Sequence, residues 1–581
     1  MTRAAAHPVA AASRTGRAGL AATAVSIACT VAVAAAGPSL MEPPLPGATG
    51  QPPWALDLGL NPYLAVGLAA AGLAAGVLGV ALTLRATRRG WAVSPRYVLL
   101  AGTLAAVVAG TTRPFGSSDF ISYAAYGREL VTGHNPYLVA PRTLALLGDP
   151  VARAVQDWAG TPSVYGALAT GVFGVASLIG GTSVRLTVFV LGAVNVAAFI
   201  SAGMLLDRMA RGPAARLRAA VLWTCNPLLL QILVIGSHVD GLAAAFSIAG
   251  IAVLAPVIPN GPVAHSAPGT TLFAAPRPPR GALRGLVAGM LLGLGFAVKP
   301  TVLLVAAGVA IALMARRSRT SSSPSTAFFA PFPSASLVPP EAQSGGLIAV
   351  PGAIAPESAI KQSAVLGLMA GFGIVAGADL LVIGRAGIAQ TLRASGMVSV
   401  GSPWRVVRTV LSYCVDGSTA DEAVRWCAVV LAAFLVTRLL RLWRPAGKPT
   451  DFVPVFRRYS GGNQEQIASL AAGWAFALVL GWLLAWPYVL PWYDALAWAL
   501  LPLLPASGLD WLLLARTAVL GFGYLPARSA GVTIPGGLRW MEPVLRSAVT
   551  PVVLTVLVVM VVRLSAKPED GLEGSPYAGR A

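Results

Sequence analysis

Cysteine, histidine and charge are all scarce in this sequence. Its 581 residues include four cysteines and four histidines, and only 11% of them are charged. Cys29, Cys225 and Cys427 lie in or beside apolar runs and only Cys414 is expected to be exposed on the outer side of the membrane, so no disulfide framework can be drawn. No histidine lies at ligand spacing from another, which argues against a transition-metal site.

Nucleotide-binding motifs are also absent. No Walker A sequence occurs, and the nearest approach to a dinucleotide fingerprint, GFGIVAG from Gly371, lies inside an apolar run that no strand precedes. Small residues at that spacing favour close packing of helices instead. The sequence therefore offers no visible site for nucleotide-driven chemistry.

Apolar residues are abundant, at 56% of the chain, and this composition excludes a soluble domain. Many apolar runs can cross, or nearly cross, a hydrocarbon core of about 30 Å, and they predict an all-α polytopic membrane protein with about 14 transmembrane helices. These runs begin near Gly19, Tyr63, Tyr97, Val184, Ala219, Leu242, Leu286, Thr301, Ser363, Ala423, Ile467, Trp492, Trp511 and Val544.

The net charge of +20 comes from short basic clusters between the apolar runs. This pattern is typical of membrane orientation and does not indicate nucleic-acid binding. All clusters can lie in the cytoplasm together if the run 164–181 is an interfacial or re-entrant helix and not a span. The clusters include Arg85, Arg88, Arg89 and Arg96, then Arg208, Arg211, Arg216 and Arg218, and further groups near Arg280, Arg316 and Arg441.

This orientation places both termini in the cytoplasm and the loop 113–183 outside. The N-terminal run also has features of a signal peptide, and its cleavage is left open. A Ser-, Pro- and Ala-rich stretch predicts a disordered linker between two helical halves. The predicted division is 1–112, N-terminal transmembrane helices; 113–183, an extracytoplasmic loop with interfacial helices; 184–315, transmembrane helices; 316–362, a cytoplasmic linker; 363–567, C-terminal transmembrane helices; and 568–581, a cytoplasmic tail.

The loop after the third run contains a predicted short helix. Pro114 cannot continue the preceding helix, and Ser117 or Ser118 can cap a new one over residues 120–131. We expect Pro136 to end this element.

One carboxylate and two phenols share a face of this helix. Asp119, Tyr123 and Tyr126 fall within an arc of about 60° on helical periodicity. An ionisable group at a membrane boundary is costly unless it has a function, so we interpret Asp119 as a catalytic base and the phenols as sugar ligands. In the alternative interpretation, the tyrosines anchor at headgroup level and Asp119 only caps the helix.

A second acid of the loop, Glu129, lies about 80° from Asp119 on the same helical wheel. Two arginines of the loop, Arg128 and Arg113, are potential partners. We therefore expect Glu129 to be paired with one of them or to be solvated.

The stretch SSDFISYAAYGRELVTGHNPYLVAP, followed by SVYG, resembles the first extracytoplasmic loop of the actinobacterial polyprenyl-phosphate-mannose-dependent α-1,6-mannosyltransferases. SHVDG at Ser237, the KP pair at Lys299 and LPWYDALAW at Leu490 follow in the order of that family. The resemblance implies a GT-C-like bundle in which Asp119, the acid of the first large loop, is the catalytic base. Many GT-C enzymes have a second acid beside it and this loop does not, so we expect no cofactor and leave a divalent cation open.

Transfer from a lipid phosphate sugar requires a base for the acceptor hydroxyl and cations for the leaving phosphate. A direct inverting displacement needs only one base. Four basic residues in predicted outer segments are candidates to bind the donor phosphate, with snorkelling to lipid headgroups as the alternative. They are Arg393, Arg405, Arg408 and Lys299.

Two further segments predicted to lie outside hold candidate sugar ligands. His238 and Asp240, in a tight turn, can hold a sugar hydroxyl, tune Asp119 or simply cap the turn. At the outer end of a later run, aromatic residues are typical interface anchors, but they are also candidates for sugar contact. These residues are Trp492, Tyr493 and Asp494.

Together these features predict an enzyme that transfers mannose from polyprenyl-phosphate-mannose to a lipid-anchored mannan of the lipomannan type. Transfer would occur with inversion, among membrane lipids, at the extracytoplasmic face of the plasma membrane. Mannose and the α-1,6 linkage are implied by the resemblance alone. The alternatives are transfer of arabinose or glucose from a polyprenyl phosphate, a flippase or transporter of lipid-linked oligosaccharide, and an inactive partner of a mannan polymerase. Transporters bind near the bilayer midplane, whereas the polar groups here gather on one face.

Overall fold

The computed structural model describes residues 3–255, 280–314, 357–442, 465–527 and 532–566. Regular secondary structure in these ranges is helical, and their one β-bridge, between Trp54 and Thr112, is isolated. The predicted tail 568–581 lies outside the described residues. So does the predicted linker 316–362, except for its last residues, with which a helix begins.

The helices before the linker include the four short ones of the loop 113–183. A π-helix, Leu230–Ile235, follows α10 directly. The α-helices are α1 (Arg3–Ala36), α2 (Pro62–Arg88), α3 (Pro95–Thr111), α4 (Asp119–Val131), α5 (Pro141–Leu146), α6 (Pro150–Arg153), α7 (Ala167–Gly180), α8 (Val184–Met209), α9 (Gly212–Leu222), α10 (Pro227–Leu229), α11 (Asp240–Leu254), α12 (Arg280–Val298) and α13 (Val302–Met314).

The helices after the linker are α14 (Glu357–Ser395), α15 (Pro403–Leu411), α16 (Gly417–Arg441), α17 (Glu465–Ala485), α18 (Ala495–Leu500), α19 (Leu509–Tyr524) and α20 (Thr550–Ala566). Helix α14 is kinked at Gly384, where φ is +61°. Short 3₁₀ segments flank α18 at Pro491–Asp494 and Leu501–Leu503, a third spans Gly536–Leu538, and a second π-helix, Glu542–Val549, leads into α20.

Eight segments of the described chain are long and apolar enough to cross a membrane, as expected for a multi-pass membrane protein. They are Ala11–Ala36, Pro62–Arg88, Val184–Met209, Gly212–Ile235, Gly281–Val298, Gln362–Ser395, Gly417–Arg441 and Gly536–Ala566. The total of about fourteen spans stays a prediction. The run at Trp492 forms only short helical segments, because Pro502 lacks the amide hydrogen that a continuous helix needs.

Helix α4 confirms the short helix predicted over residues 120–131. Its first N–H, of Asp119, donates to the Ser117 hydroxyl at 3.2 Å. The prediction that Pro136 ends it was wrong, because the helix ends earlier in a glycine cap: Gly133, with φ +81°, donates to the Leu130 carbonyl, and His134 donates to the Glu129 carbonyl at 2.8 Å.

Helix α4 packs against α7, and α7 packs against α8. A side chain at Gly127 would collide with the backbone of Phe173, so glycine permits this close approach. Helix α7 has 14 residues, and a helix of that length extends for only about 21 Å. The interfacial or re-entrant position of the run 164–181 stays a prediction.

A buried carboxylate joins the two halves of the chain. Asp510 of α19 accepts from Arg88 of α2 at 2.8 Å and from Arg218 of α9 at 2.6 Å. Arg218 also donates to the carbonyls of Leu501 and Leu504 at 2.9 and 2.8 Å. Two basic clusters that the sequence assigns to the same side of the membrane therefore meet at one acid.

Candidate active site

The Asp119 carboxylate lies at the start of α4, between the outer loop and the helical bundle. Its side chain is 16% exposed, and its Oδ2 lies 3.7 Å from Nδ1 of His238. Beside it, the Ser118 hydroxyl donates to Asp157 at 2.6 Å, so this serine holds the loop instead of capping the helix. The carboxylate is thus set deep in the protein but remains accessible.

Burial raises the pKa of Asp119 from 3.8 to about 7, although Lys299 lowers it. The negative charges of Asp240 and Asp157 raise it further, and a hydrogen bond from the Trp158 side chain opposes them. A carboxylate with a pKa near neutrality combines a useful ionised fraction with a strong affinity for a proton. This is the protonation behaviour that a general base requires.

Lys299, Asp240 and Tyr493 form one cluster next to Asp119. Nζ of Lys299 lies 2.5 Å from Oδ1 of Asp240 and 4.0 Å from the centre of the Tyr493 ring. The lysine follows the last residue of α12, and Asp240 is the first residue of α11. The motifs SHVDG, KP and LPWYDALAW, distant in sequence, therefore converge on Asp119.

His238 lies flat on Trp492, with ring centres 3.8 Å apart and an angle of 15° between the planes. Trp492 in turn packs edge to face on Tyr524 at 5.3 Å. Burial lowers the pKa of His238 well below its usual value, and the charge of Lys299 lowers it further. A neutral imidazole therefore faces the Asp119 carboxylate.

The two phenols predicted to line the site are buried. Tyr123 stacks on Phe173 at 4.9 Å and accepts a hydrogen bond from the Tyr165 hydroxyl at 3.3 Å. The Tyr126 hydroxyl donates to the Thr161 carbonyl at 3.0 Å. Neither ring is exposed as a headgroup anchor would be, and both hydroxyls contact protein groups, so sugar contact stays a prediction.

Asp494 of the predicted sugar set lies inside the bundle. It is paired with Arg516, and both side chains are at most 1% exposed. Its Oδ2 also accepts from the Thr517 hydroxyl at 2.7 Å. The carboxylate therefore stabilises the segment that carries Trp492 and Tyr493.

The three arginines predicted to bind the donor phosphate are exposed. Arg408 is paired with Asp421, and Arg405 lies on α15, none of whose residues is buried. In the described part of the chain, no contact joins Arg393, Arg405 or Arg408 to Asp119. Of the predicted cations, the structure brings only Lys299 to the site.

The expectation for Glu129 was wrong. Its side chain is fully buried, and neither carboxylate oxygen has a hydrogen-bond partner among the described residues. Arg128 instead donates to Asp149 at 2.7 Å, and Arg113 lies 3.4 Å from Glu42. Burial raises the pKa of Glu129 to about 9, so it is protonated at neutral pH.

Two clefts adjoin the residues around Asp119. The first cleft is partly open to solvent and is lined in part by Phe115, Gln231, His238, Trp492 and Tyr524. The second cleft is also partly open, and its lining includes Ser399, Arg546 and Thr550. Pro491 and Tyr524 line both, so the two clefts are neighbours.

Sequence reasoning missed Arg546, Asp157 and Gln231. The Arg546 guanidinium lies 5.2 Å from the centre of the Tyr524 ring. An arginine at the predicted outer end of the last apolar run departs from the positive-inside pattern, and this departure was a usable signal. The only sequence feature that pointed to Asp157 was its position in the same loop as Asp119. No sequence feature pointed to Gln231.

Metal ligation has no evident site in the ranges that the structure covers. No group of three or more His, Cys, Asp or Glu side chains is arranged there to hold a metal ion. The acids around Asp119 are engaged with protein partners instead, Asp240 with Lys299 and Asp157 with Ser118.

Comparison with known proteins gives one family match. The profile of the family described as "Alpha-(1->6)-mannopyranosyltransferase, N-terminal domain" matches residues 17–315, just over half of the chain. No curated protein and no solved structure matches. The matched range contains Asp119, His238, Asp240 and Lys299, four of the residues that the fold brings together. The chain therefore belongs to the alpha-(1->6)-mannopyranosyltransferase family and is a glycosyltransferase.

Proposed function

We propose that the protein transfers mannose from polyprenyl-phosphate-mannose to a lipid-anchored mannan, with inversion at the anomeric carbon and with Asp119 as the general base. The observation that carries this proposal is the Asp119 carboxylate itself. It is accessible, its pKa is about 7, and it lies 3.7 Å from a neutral imidazole.

In this mechanism Asp119 takes the proton from the 6-hydroxyl of the acceptor mannose. The oxygen forms a bond to the anomeric carbon, and the bond from that carbon to the phosphate oxygen breaks. The electron pair leaves with the polyprenyl phosphate, which therefore gains negative charge that a cation stabilises. Water plays no part in the displacement, so one carboxylate is sufficient.

For the donor phosphate, the geometry favours Arg546 over the exposed Arg393, Arg405 and Arg408. Arg546 lines the second cleft and has no ion pair with any described side chain. Lys299 is paired with Asp240, so its main effect is on the charge of Asp119. A guanidinium grips phosphate oxygens through two parallel N–H groups.

The proposed GT-C-like bundle has its active site on the extracytoplasmic face of the plasma membrane. Four segments predicted to lie outside meet at one place, through Asp119, His238, Lys299 and Trp492. Two predicted cytoplasmic clusters meet elsewhere, at Asp510. This separation of the two sets supports the predicted orientation.

The decisive experiment replaces Asp119 with asparagine, which has nearly the same shape and no basic carboxylate. We expect transfer from labelled polyprenyl-phosphate-mannose to fall by about 10²- to 10⁴-fold, with donor binding retained. Asp57→Asn is the matched control, because Asp57 is exposed and its φ of +50° is one that asparagine tolerates.

Retained transfer in Asp119→Asn would show that another group is the base. A flippase would instead translocate lipid-linked oligosaccharide in proteoliposomes equally well with either residue. Transfer assays with arabinosyl and glucosyl polyprenyl phosphates test the identity of the sugar.

A further inference from the structure

Gln231 is a buried amide on the π-helix Leu230–Ile235. Its side chain is 9% exposed, and its Oε1 has no hydrogen-bond partner among the described residues. The Gly236 N–H donates to the Gln231 carbonyl at 3.0 Å, which is the wide i to i+5 turn of a π-helix. Such turns are rare and occur often at functional sites.

Two more unpaired polar atoms follow within the same stretch. Oγ of Ser237 and Nδ1 of His238 are buried, and neither has a hydrogen-bond partner in the part of the chain that the structure describes. Ser237 also has a φ of +52°, a strained conformation for a residue with a side chain. Burying unpaired polar atoms costs free energy, and a ligand that pairs with them recovers it.

Gln231 and His238 both line the first cleft. Aromatic rings form much of the remaining lining, from Phe115, Trp492 and Tyr524. A concave site with aromatic walls and a few polar groups is the usual composition of a small-ligand site. An amide can accept two hydrogen bonds and donate two, so it can contact two neighbouring hydroxyls of a sugar ring.

We propose that Gln231 binds hydroxyl groups of a hexose in the first cleft and thereby fixes the sugar ring relative to Asp119. The proposal rests on the proposed function, since it takes Asp119 as the reacting group. His238 connects the first cleft with Asp119, because it lines the cleft and its Nδ1 lies 3.7 Å from the Asp119 carboxylate. The hexose is either the donor mannose or the terminal acceptor mannose.

The test is Gln231→Met in the full-length enzyme, because methionine has a similar length and volume but forms no amide hydrogen bonds. We expect KM to rise about five- to tenfold for one of the two substrates, as expected for the loss of about one hydrogen bond. The pH midpoint of the rate should not change. A rise for polyprenyl-phosphate-mannose places the donor in the cleft, and a rise for a synthetic mannoside acceptor places the acceptor there.

Gln51→Met is the matched control, because Gln51 pairs with Ser183 and does not line either cleft. A purely structural Gln231 predicts a different result for Gln231→Met: unchanged KM values and a higher thermal unfolding temperature, since an unpaired buried amide is removed. That result would overturn the inference. If Gln231→Met does not fold, Gln231→Asn keeps the amide but withdraws it from the sugar, and unchanged KM values in that variant would overturn it equally.

The two proposals can fail separately. A raised KM in Gln231→Met together with full activity in Asp119→Asn removes the base assignment but keeps the sugar site. Unchanged KM values in Gln231→Met together with an inactive Asp119→Asn remove only the sugar site.

Discussion

The charges around Asp119 predict how the rate of mannosyl transfer depends on pH. The base acts only when it is ionised, so activity should rise with pH and reach half its limit near the pKa of about 7. One pH unit lower, about a tenth of the enzyme carries the ionised base. Two neighbouring substitutions should move this midpoint in opposite directions, Asp240→Asn downward and Lys299→Met upward.

The size of the pKa shift of Asp119 follows from the environment of its carboxylate. A rise in pKa from 3.8 to about 7 corresponds to about 4 kcal/mol against the charged form at 1.36 kcal/mol per pKa unit. Burial is the largest cause, Lys299 partly offsets it and Asp240 adds to it. Removal of Asp240 leaves one fewer negative charge near Asp119, and removal of Lys299 leaves one fewer positive charge.

The assay measures the initial rate at limiting donor concentration from pH 5 to pH 9 for the parent and both variants. Asp57→Asn serves as the control, because this exposed acid should leave the midpoint unchanged. A rate that is constant over this range, as a solvated carboxylate with a pKa near 4 would give, would refute the role of the buried Asp119. Shifts of both variants in the same direction would refute the electrostatic explanation.

Three further predictions test other parts of the structure. Arg546→Met should raise the KM for the lipid donor about tenfold or more. Arg408→Met removes an exposed ion pair worth less than about 1 kcal/mol and should change that KM less than about threefold. Equal effects of the two substitutions would contradict the proposal that Arg546 binds the donor phosphate. Asp494→Asn leaves the buried charge of Arg516 unpaired and should lower the free energy of unfolding by about 3–5 kcal/mol; an unchanged melting temperature in detergent would count against this buried pair. The pKa of Glu129 rises from 4.5 to about 9 on folding, so the parent protein loses stability as pH rises through this range. Glu129→Gln should therefore melt higher than the parent at pH 8 and equally near pH 4, and equal melting at pH 8 would contradict the burial of a protonated acid.

The sequence was sufficient for the membrane class and for the helix that carries Asp119. Apolar runs and helix caps act over a few neighbouring residues, so their consequences can be predicted without tertiary contacts. The end of α4 shows the limit of this reasoning. Both Gly133 and Pro136 can terminate a helix, and the one that acts is the earlier, because the positive φ of Gly133 lets the N–H groups of Gly133 and His134 form the two closing hydrogen bonds.

Burial explains why the prediction for Glu129 failed and why the position of Asp494 was not foreseen. Glu129 has two arginines close by in sequence, but it packs between α4 and its neighbours while Arg128 and Arg113 pair with other acids. Asp494 begins a segment with the pattern of an outer interface, yet it is buried against Arg516. The identity of a charged residue does not reveal which partner lies beside it after folding.

The sequence by itself determined that this chain is a helical membrane protein with a candidate base in its first large loop, since hydropathy and the cost of a charge at a membrane boundary are local properties. Only the tertiary structure decided which residues surround that base. It brought His238, Lys299 and Trp492 to Asp119 and opened two clefts beside them. The pKa of the carboxylate depends on burial and on the charges of Asp240 and Lys299, which are more than 100 residues away in the chain, and only packing brings these together.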